Sequence, residues 1–273
     1  MSKIDELKKL REQIDIQIKG SENYPKDAPS VIITNHNRLT DIIYTPVAFD
    51  DDIVSLVSAR LVYKQDPERL EMINKYLNAF PIEAHGGHDY AQMGIDYASR
   101  ILLDDKSVSI CPEGAYLEGR DVVYRGRTGA ARILFNSLNY YNFAYLLPVS
   151  IDIESKNDLD CYTPDKNDKV KIEIMEPINP VKYYREYNSS YEKDKNRVLH
   201  ELIREGMMRI ANSLNRTYKD EYIELRPKGN VIFKDGKVVE KEEAQEEKYK
   251  EQYEKDLKEL TLKLISSCGD GRW

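Results

Sequence analysis

The chain has 273 residues, long enough to bury a full core, and its 41 basic against 48 acidic residues give a net charge of -7, which argues against a global basic footprint for nucleic acid or anionic lipid. Its three cysteines, Cys111, Cys161 and Cys268, are odd in number and carry no paired spacing. That argues against a disulfide framework or a zinc knuckle and leads us to expect a reducing, cytoplasmic setting.

Residues 1–20 are too charged for a signal-peptide core, and no run of about 18 apolar residues occurs anywhere, so no membrane span is expected. Ile4, Leu7, Leu10 and Ile14 recur near helical spacing and predict an N-terminal amphipathic helix over 1–20. After the prolines at 25 and 29, Val31 to Thr34 form a short β-branched run, Asn35 opens a polar turn, and apolar residues resume from Asp41: strand, turn, helix. The alternation continues with a strand at Ile53 to Val57, a helix at Pro67 to Leu77 and a strand near Phe80 to Glu83. A helix follows whose face carries Ala91, Ile95, Ala98, Ile101 and Leu102, and then a strand at Val108 to Cys111. Gly129 to Leu138 reads as helix, Tyr145 to Ile151 as strand, Val170 to Ile174 as a strictly alternating strand, and Leu199 to Leu214 as a last packed helix. Pro148 suggests that its strand lies at an edge or ends there.

Strands separated by helices of this length need crossover connections. The expected fold is therefore α/β, a mostly parallel central sheet flanked by helices. Composition changes near Tyr222, where a hairpin is expected around Asp235 and Gly236, followed by a charge-dense helical run from Glu240. The expected organisation is thus the helix 1–20, a domain over 21–215 and a charged helical C-terminal extension over 216–273. The apolar stripes of both ends are open to the core, to a second subunit or to peripheral contact with the inner face of a membrane.

The most informative stretch is Asn35-His36-Asn37-Arg38-Leu39-Thr40-Asp41, directly after a strand. On an unbroken helix, His36 and Asp41 would lie roughly 140° apart, so a bend at the strand–helix junction is needed to bring them together. Once together, Asp41 can accept the N–H of one ring nitrogen and leave the other free as a general base. No Gly-x-Ser-x-Gly elbow is present, so a substrate hydroxyl or amine would supply the nucleophile.

Four ordered blocks resemble the glycerophospholipid acyltransferase family, the PlsC-like lysophosphatidate acyltransferases. Asn35-His36 with Asp41 matches the N-H-x-x-x-x-D signature, Pro112-Glu113-Gly114 the third block, Gly126 to Ile133 a glycine-alanine helix start, and Leu147-Pro148-Val149 the fourth block. Phe80-Pro81-Ile82-Glu83 falls where the second block belongs, as a poorer match. The resemblance implies transfer of a fatty acyl group from acyl-CoA or acyl carrier protein to a lipid or small-molecule acceptor, with His36 and Asp41 catalytic and no cofactor or metal. It places Glu113 and Gly114 toward the acceptor, where Arg38 and Glu83 are further candidates. Arg125 and Arg127, flanking a glycine before a helix start, are placed to meet a donor phosphate.

Two arginines of the family pattern are missing: Ala84 follows Glu83 where the second block ends in arginine, and Ala115-Tyr116 follow Gly114 where the third block continues Thr-Arg. Either Arg38, Arg60, Arg120, Arg125 or Arg127 supplies the anchoring charge from another position, or, as we expect, the acceptor is a hydroxyl that need not belong to a phosphorylated glycerol, with an amine as the alternative and thioester hydrolysis as a further one. His85-Gly86-Gly87-His88 reads as a loop at the acceptor mouth rather than a metal site.

Overall fold

The computed structural model describes residues 2–58, 67–82, 88–114, 121–140, 142–156 and 163–222, a hairpin at 231–234 and 237–240, and single helical positions at Lys255 and Glu259. The helices are α1 (Lys3–Gln13), α2 (Asp41–Val47), α3 (Pro67–Tyr76), α4 (His88–Leu103), α5 (Gly129–Asn139), α6 (Val181–Ser189) and α7 (Glu192–Ser213). Seven strands make the central sheet: β1 (Asp15–Lys19), β2 (Ser30–Thr34), β3 (Val54–Ser58), β4 (Asn78–Ile82), β5 (Val108–Ile110), β7 (Tyr145–Glu154) and β8 (Lys169–Ile174). They lie in the order β1-β8-β7-β2-β5-β3-β4, and every neighbouring pair is parallel except β7 with β8.

β2 is buried along its whole length, and its side chains divide between two cores. Val31 and Ile33 face a cluster with Leu102 of α4, Leu134 of α5 and Leu202 of α7, whereas Ile32 joins Ile43 of α2, Ile73 of α3 and Leu10 of α1. Alternating side chains on a strand buried on both faces require this division, and it gives three layers, helix, sheet, helix. The chain leaves β2 through α2 on one face and leaves β5 through α5 on the other. The two helices thus diverge from the carboxyl ends of adjacent strands, the place where open parallel sheets bind ligands.

Three expectations need revision. The first helix ends at Gln13, because Ile14, Ile16 and Ile18 alternate with a period of two, and residues 15–19 pair with β8 as β1. The domain also runs past 215, since β9 (Thr217–Lys219) pairs in parallel with β6 (Val122–Tyr124). Finally, Pro148 lies inside a central strand. The N–H and carbonyl of Leu146 both pair with Ile178, so the missing N–H of Pro148, two residues on, points to the same side, beyond the end of β8, where the Pro148 carbonyl accepts from Met175.

The hairpin forms from β10 (Val231–Lys234) and β11 (Lys237–Glu240). Glu83, the stretch from His85 to Gly87 and most of the charged run after Glu240 lie outside the described residues. Among the described residues no helix is long and apolar enough to cross a membrane.

Candidate active site

The site is built where β2 and β5 end side by side. Asn35 takes over the ladder at the point where β2 stops: its Nδ2 donates to the Ile151 carbonyl at 2.8 Å and its Oδ1 accepts from the Ile151 N–H at 2.9 Å. A fully buried side-chain amide thus stands in for one more backbone unit of β2. The chain is then free to turn while still anchored to β7.

The turn delivers the bend that the His36–Asp41 spacing requires. Asp41 opens α2 and folds its carboxylate back, so that one oxygen, Oδ2, accepts from the N–H of Asn37 at 2.5 Å and of Arg38 at 2.9 Å. The same oxygen lies 3.5 Å from His36 Nδ1, with the Asp41 side chain 1% exposed and that of His36 11%. The aspartate is therefore locked by backbone donors before the imidazole meets it. A histidine whose Nδ1 faces a carboxylate presents Nε2 to a substrate proton.

Glu113 reaches this turn from the loop after β5. Its Oε2 accepts from the His36 N–H at 2.9 Å and its Oε1 from the Tyr124 N–H at 2.8 Å. Burial pushes its carboxyl up to about 6, against the lowering effect of those two hydrogen bonds and of His36. Both oxygens are thus directed at the chain's own backbone, where they hold the histidine in place. Gly114, with φ of +73°, makes the turn that follows. A Cβ there would lie 2.9 Å from Arg127 Nε, so the Arg127 side chain lies directly on the Pro112-Glu113-Gly114 block.

Arg125 and Arg127 come together on one surface. Their guanidinium carbons lie 5.0 and 5.7 Å from the centre of the Tyr222 ring, and Arg125 Nε is 3.7 Å from Asp220. Gly126 between them packs so closely that a Cβ would come within 2.6 Å of Ile203 and 2.7 Å of Pro112. Arg38 takes part in the His36–Asp41 turn through its own N–H on Asp41. Cys111, on the strand end beside Thr34, is held as a neutral thiol, since burial pushes it up to about 12.

A family model described as Acyltransferase matches residues 15–152, more than half of the chain. The chain belongs to the acyltransferase family. Its fold is similar to the crystal structure of the 1-acyl-sn-glycerophosphate acyltransferase PlsC from Thermotoga maritima, with a TM-score of 0.51 and 21% identity over 80% of this chain and 81% of that one. No curated protein sequence matches the chain. Acyl transfer is accordingly its reaction class, on a PlsC-like fold.

Of the candidates read from sequence, His36, Asp41, Arg38, Glu113 and Gly114 meet at the carboxyl ends of β2 and β5, and Arg125 and Arg127 border them. Sequence reasoning did not single out three supports: the Asn35 amide, the Tyr124 N–H on Glu113, and Arg216 beside Asn37. Asn35 stood in the signature and could have been read as a strand-ending amide. The others are long-range contacts that leave no local pattern.

Proposed function

We propose that this acyltransferase moves a fatty acyl group from a thioester, on coenzyme A or acyl carrier protein, to an acceptor hydroxyl, with His36 as general base and Asp41 as its partner. The single observation that carries this reading is the Asp41 carboxylate, locked by two backbone N–H groups and facing His36 Nδ1 at 3.5 Å. His36 Nε2 takes the acceptor proton while the acceptor oxygen attacks the thioester carbonyl carbon. The carbon–sulfur bond then breaks, and the departing sulfur receives that proton from His36 as the free thiol. Asp41 stabilises the intervening imidazolium without itself being protonated. In this reading Arg125 and Arg127, which share the Tyr222 ring, meet the donor phosphate.

A phosphorylated acceptor is a second reading, favoured by Arg127, whose guanidinium lies on Gly114 where the family pattern carries a following arginine. The PlsC of the similar fold acts on 1-acyl-sn-glycerophosphate, as its name states. The test is incubation with acyl-CoA and with acyl carrier protein against a panel of phosphorylated alcohols, plain alcohols and amines. His36→Ala should lower transfer by about 10²- to 10⁴-fold, the usual worth of a positioned base. An amide product, resistant to hydroxylamine, would replace the hydroxyl by an amine. Acyl release at the same rate without any acceptor would make the chain a thioesterase.

A further inference from the structure

Arg216 lies outside every motif that marks the family, at the far end of the domain in sequence. Its position is set by the way α7 stops. Leu214 caps the helix, Asn215 enters the left-handed region at φ of 57°, its N–H donates to the Asn212 carbonyl at 3.1 Å, and the Arg216 N–H donates to the Ala211 carbonyl at 2.8 Å. These two bonds are the Schellman ending of a helix, with asparagine, tolerant of positive φ, at the turning residue. The turn throws Arg216 back toward the sheet, where its side chain is 14% exposed.

There its guanidinium has two partners. Nη2 donates to Asp152 Oδ1 at 2.9 Å, and the fork lies against the side-chain amide of Asn37, whose oxygen, turned to the donors, is 3.2 Å from Nη2 and also faces Nη1. Asp152 follows Ile151, the residue that carries the Asn35 amide. Asn37 follows His36 and donates its own N–H to Asp41 Oδ2. The fork therefore closes a loop from β7 through Asn37 to the catalytic carboxylate.

We propose that Arg216 is a positioning residue for acyl transfer: by holding Asn37 against Asp152, it keeps the turn that directs Asp41 at His36. The inference rests on the roles given above to His36 and Asp41. It requires a planar fork rather than a charge, because a lysine ammonium is a point donor on a flexible stem and does not span Asp152 and Asn37 in a fixed plane. An arginine already neutralised by Asp152 and occupied by Asn37 is also a poor anchor for an acceptor anion.

The experiment compares the full chain with its Arg216→Ala and Arg216→Lys variants in two measurements. One is kcat and KM for the thioester and for the acceptor found above. The other is amide hydrogen exchange at Asn37 and Arg38 with no substrate present. Arg216→Ala should lower kcat by about 10- to 100-fold, the scale of a sub-ångström to ångström misplacement, with both KM values within about twofold. Exchange at the two amides should rise at least about tenfold, in proportion to the population of the open turn. Arg216→Lys should restore the melting temperature but not kcat.

A rise in acceptor KM with kcat unchanged would overturn the proposal and make Arg216 a binding residue. So would restoration of kcat along with melting temperature by lysine. A wild-type chain that transfers no acyl group would sink the function proposed above and silence the kinetic arm. The exchange arm would still decide for Arg216, and unchanged protection at Asn37 and Arg38 would reject its role.

Discussion

Glu113 illustrates how a single buried carboxylate can be costly and yet hold the backbone around it. Removing its charge from water is unfavourable, and the two backbone N–H groups it accepts offset only part of that, which is why its carboxyl titrates near 6 rather than at 4.5. Because the folded value lies above the unfolded one, the fold favours the protonated form. The corresponding stability is fully present below about pH 4.5 and is lost as pH rises through about 6. Between pH 5 and 7 this one group should therefore cost the wild-type chain about 1 kcal/mol, and Glu113→Gln should lack that slope. Urea unfolding of both proteins at the two pH values measures the difference. Parallel pH dependence would mean that Glu113 is more solvated than its burial and two N–H partners imply. The glutamine cannot serve both donors, because its amide nitrogen meets one of the two N–H groups, so transfer should fall even at the pH where stability is matched. If Glu113 held the acceptor instead, the loss would appear in acceptor KM alone.

At the scale of elements, the site depends on two parallel strands ending at the same level and on a side chain that prolongs one of them. Asn35→Ala would leave the N–H and the carbonyl of Ile151 unmet in a buried place, a loss of about 2–4 kcal/mol. Asn35→Asp keeps an acceptor for the N–H but sets its second oxygen against the Ile151 carbonyl, and it adds a buried charge. It should unfold at a urea concentration no higher than the alanine variant; the opposite order would show that the amide does not continue the ladder. Most of this element-level scaffold was legible in the sequence, because β2, β5 and the helices between them are marked by apolar periodicity and by polar turns. What periodicity could not give was pairing. Nothing local says that β5 inserts between β2 and β3, or that Pro148 sits mid-strand where β8 has already ended. The meeting of His36 with Asp41 was legible through its spacing and its following blocks, whereas that of Arg216 with Asn37 was not, because it spans the whole domain.

The whole molecule is a wider folded unit than its motifs suggest, and its N-terminal segment shows this most clearly. The apolar stripe that could have served a lipid surface is already in use: Leu7, Leu10 and Ile14 are 7%, 4% and 6% exposed, packed with Ile43, Val47, Ile73 and Leu77. The Lys3 ammonium donates to the Leu77 carbonyl, and β1 continues the sheet beyond β8. Two uses of the same helix therefore make opposite demands, since a face buried in the core cannot also enter a bilayer. Leu10→Ala should cost about 2–4 kcal/mol, the range for emptying a buried leucine site. For a chain of this size that is a fall in melting temperature of about 5–15 °C. Flotation of the still-folded variant with vesicles, measured well below its melting point, should equal that of the wild type at whatever level the wild type floats. Reduced flotation with an unchanged melting temperature would place α1 at the membrane and not in the core. With α1 committed to the core, any lipid contact of this acyltransferase would have to come from another surface.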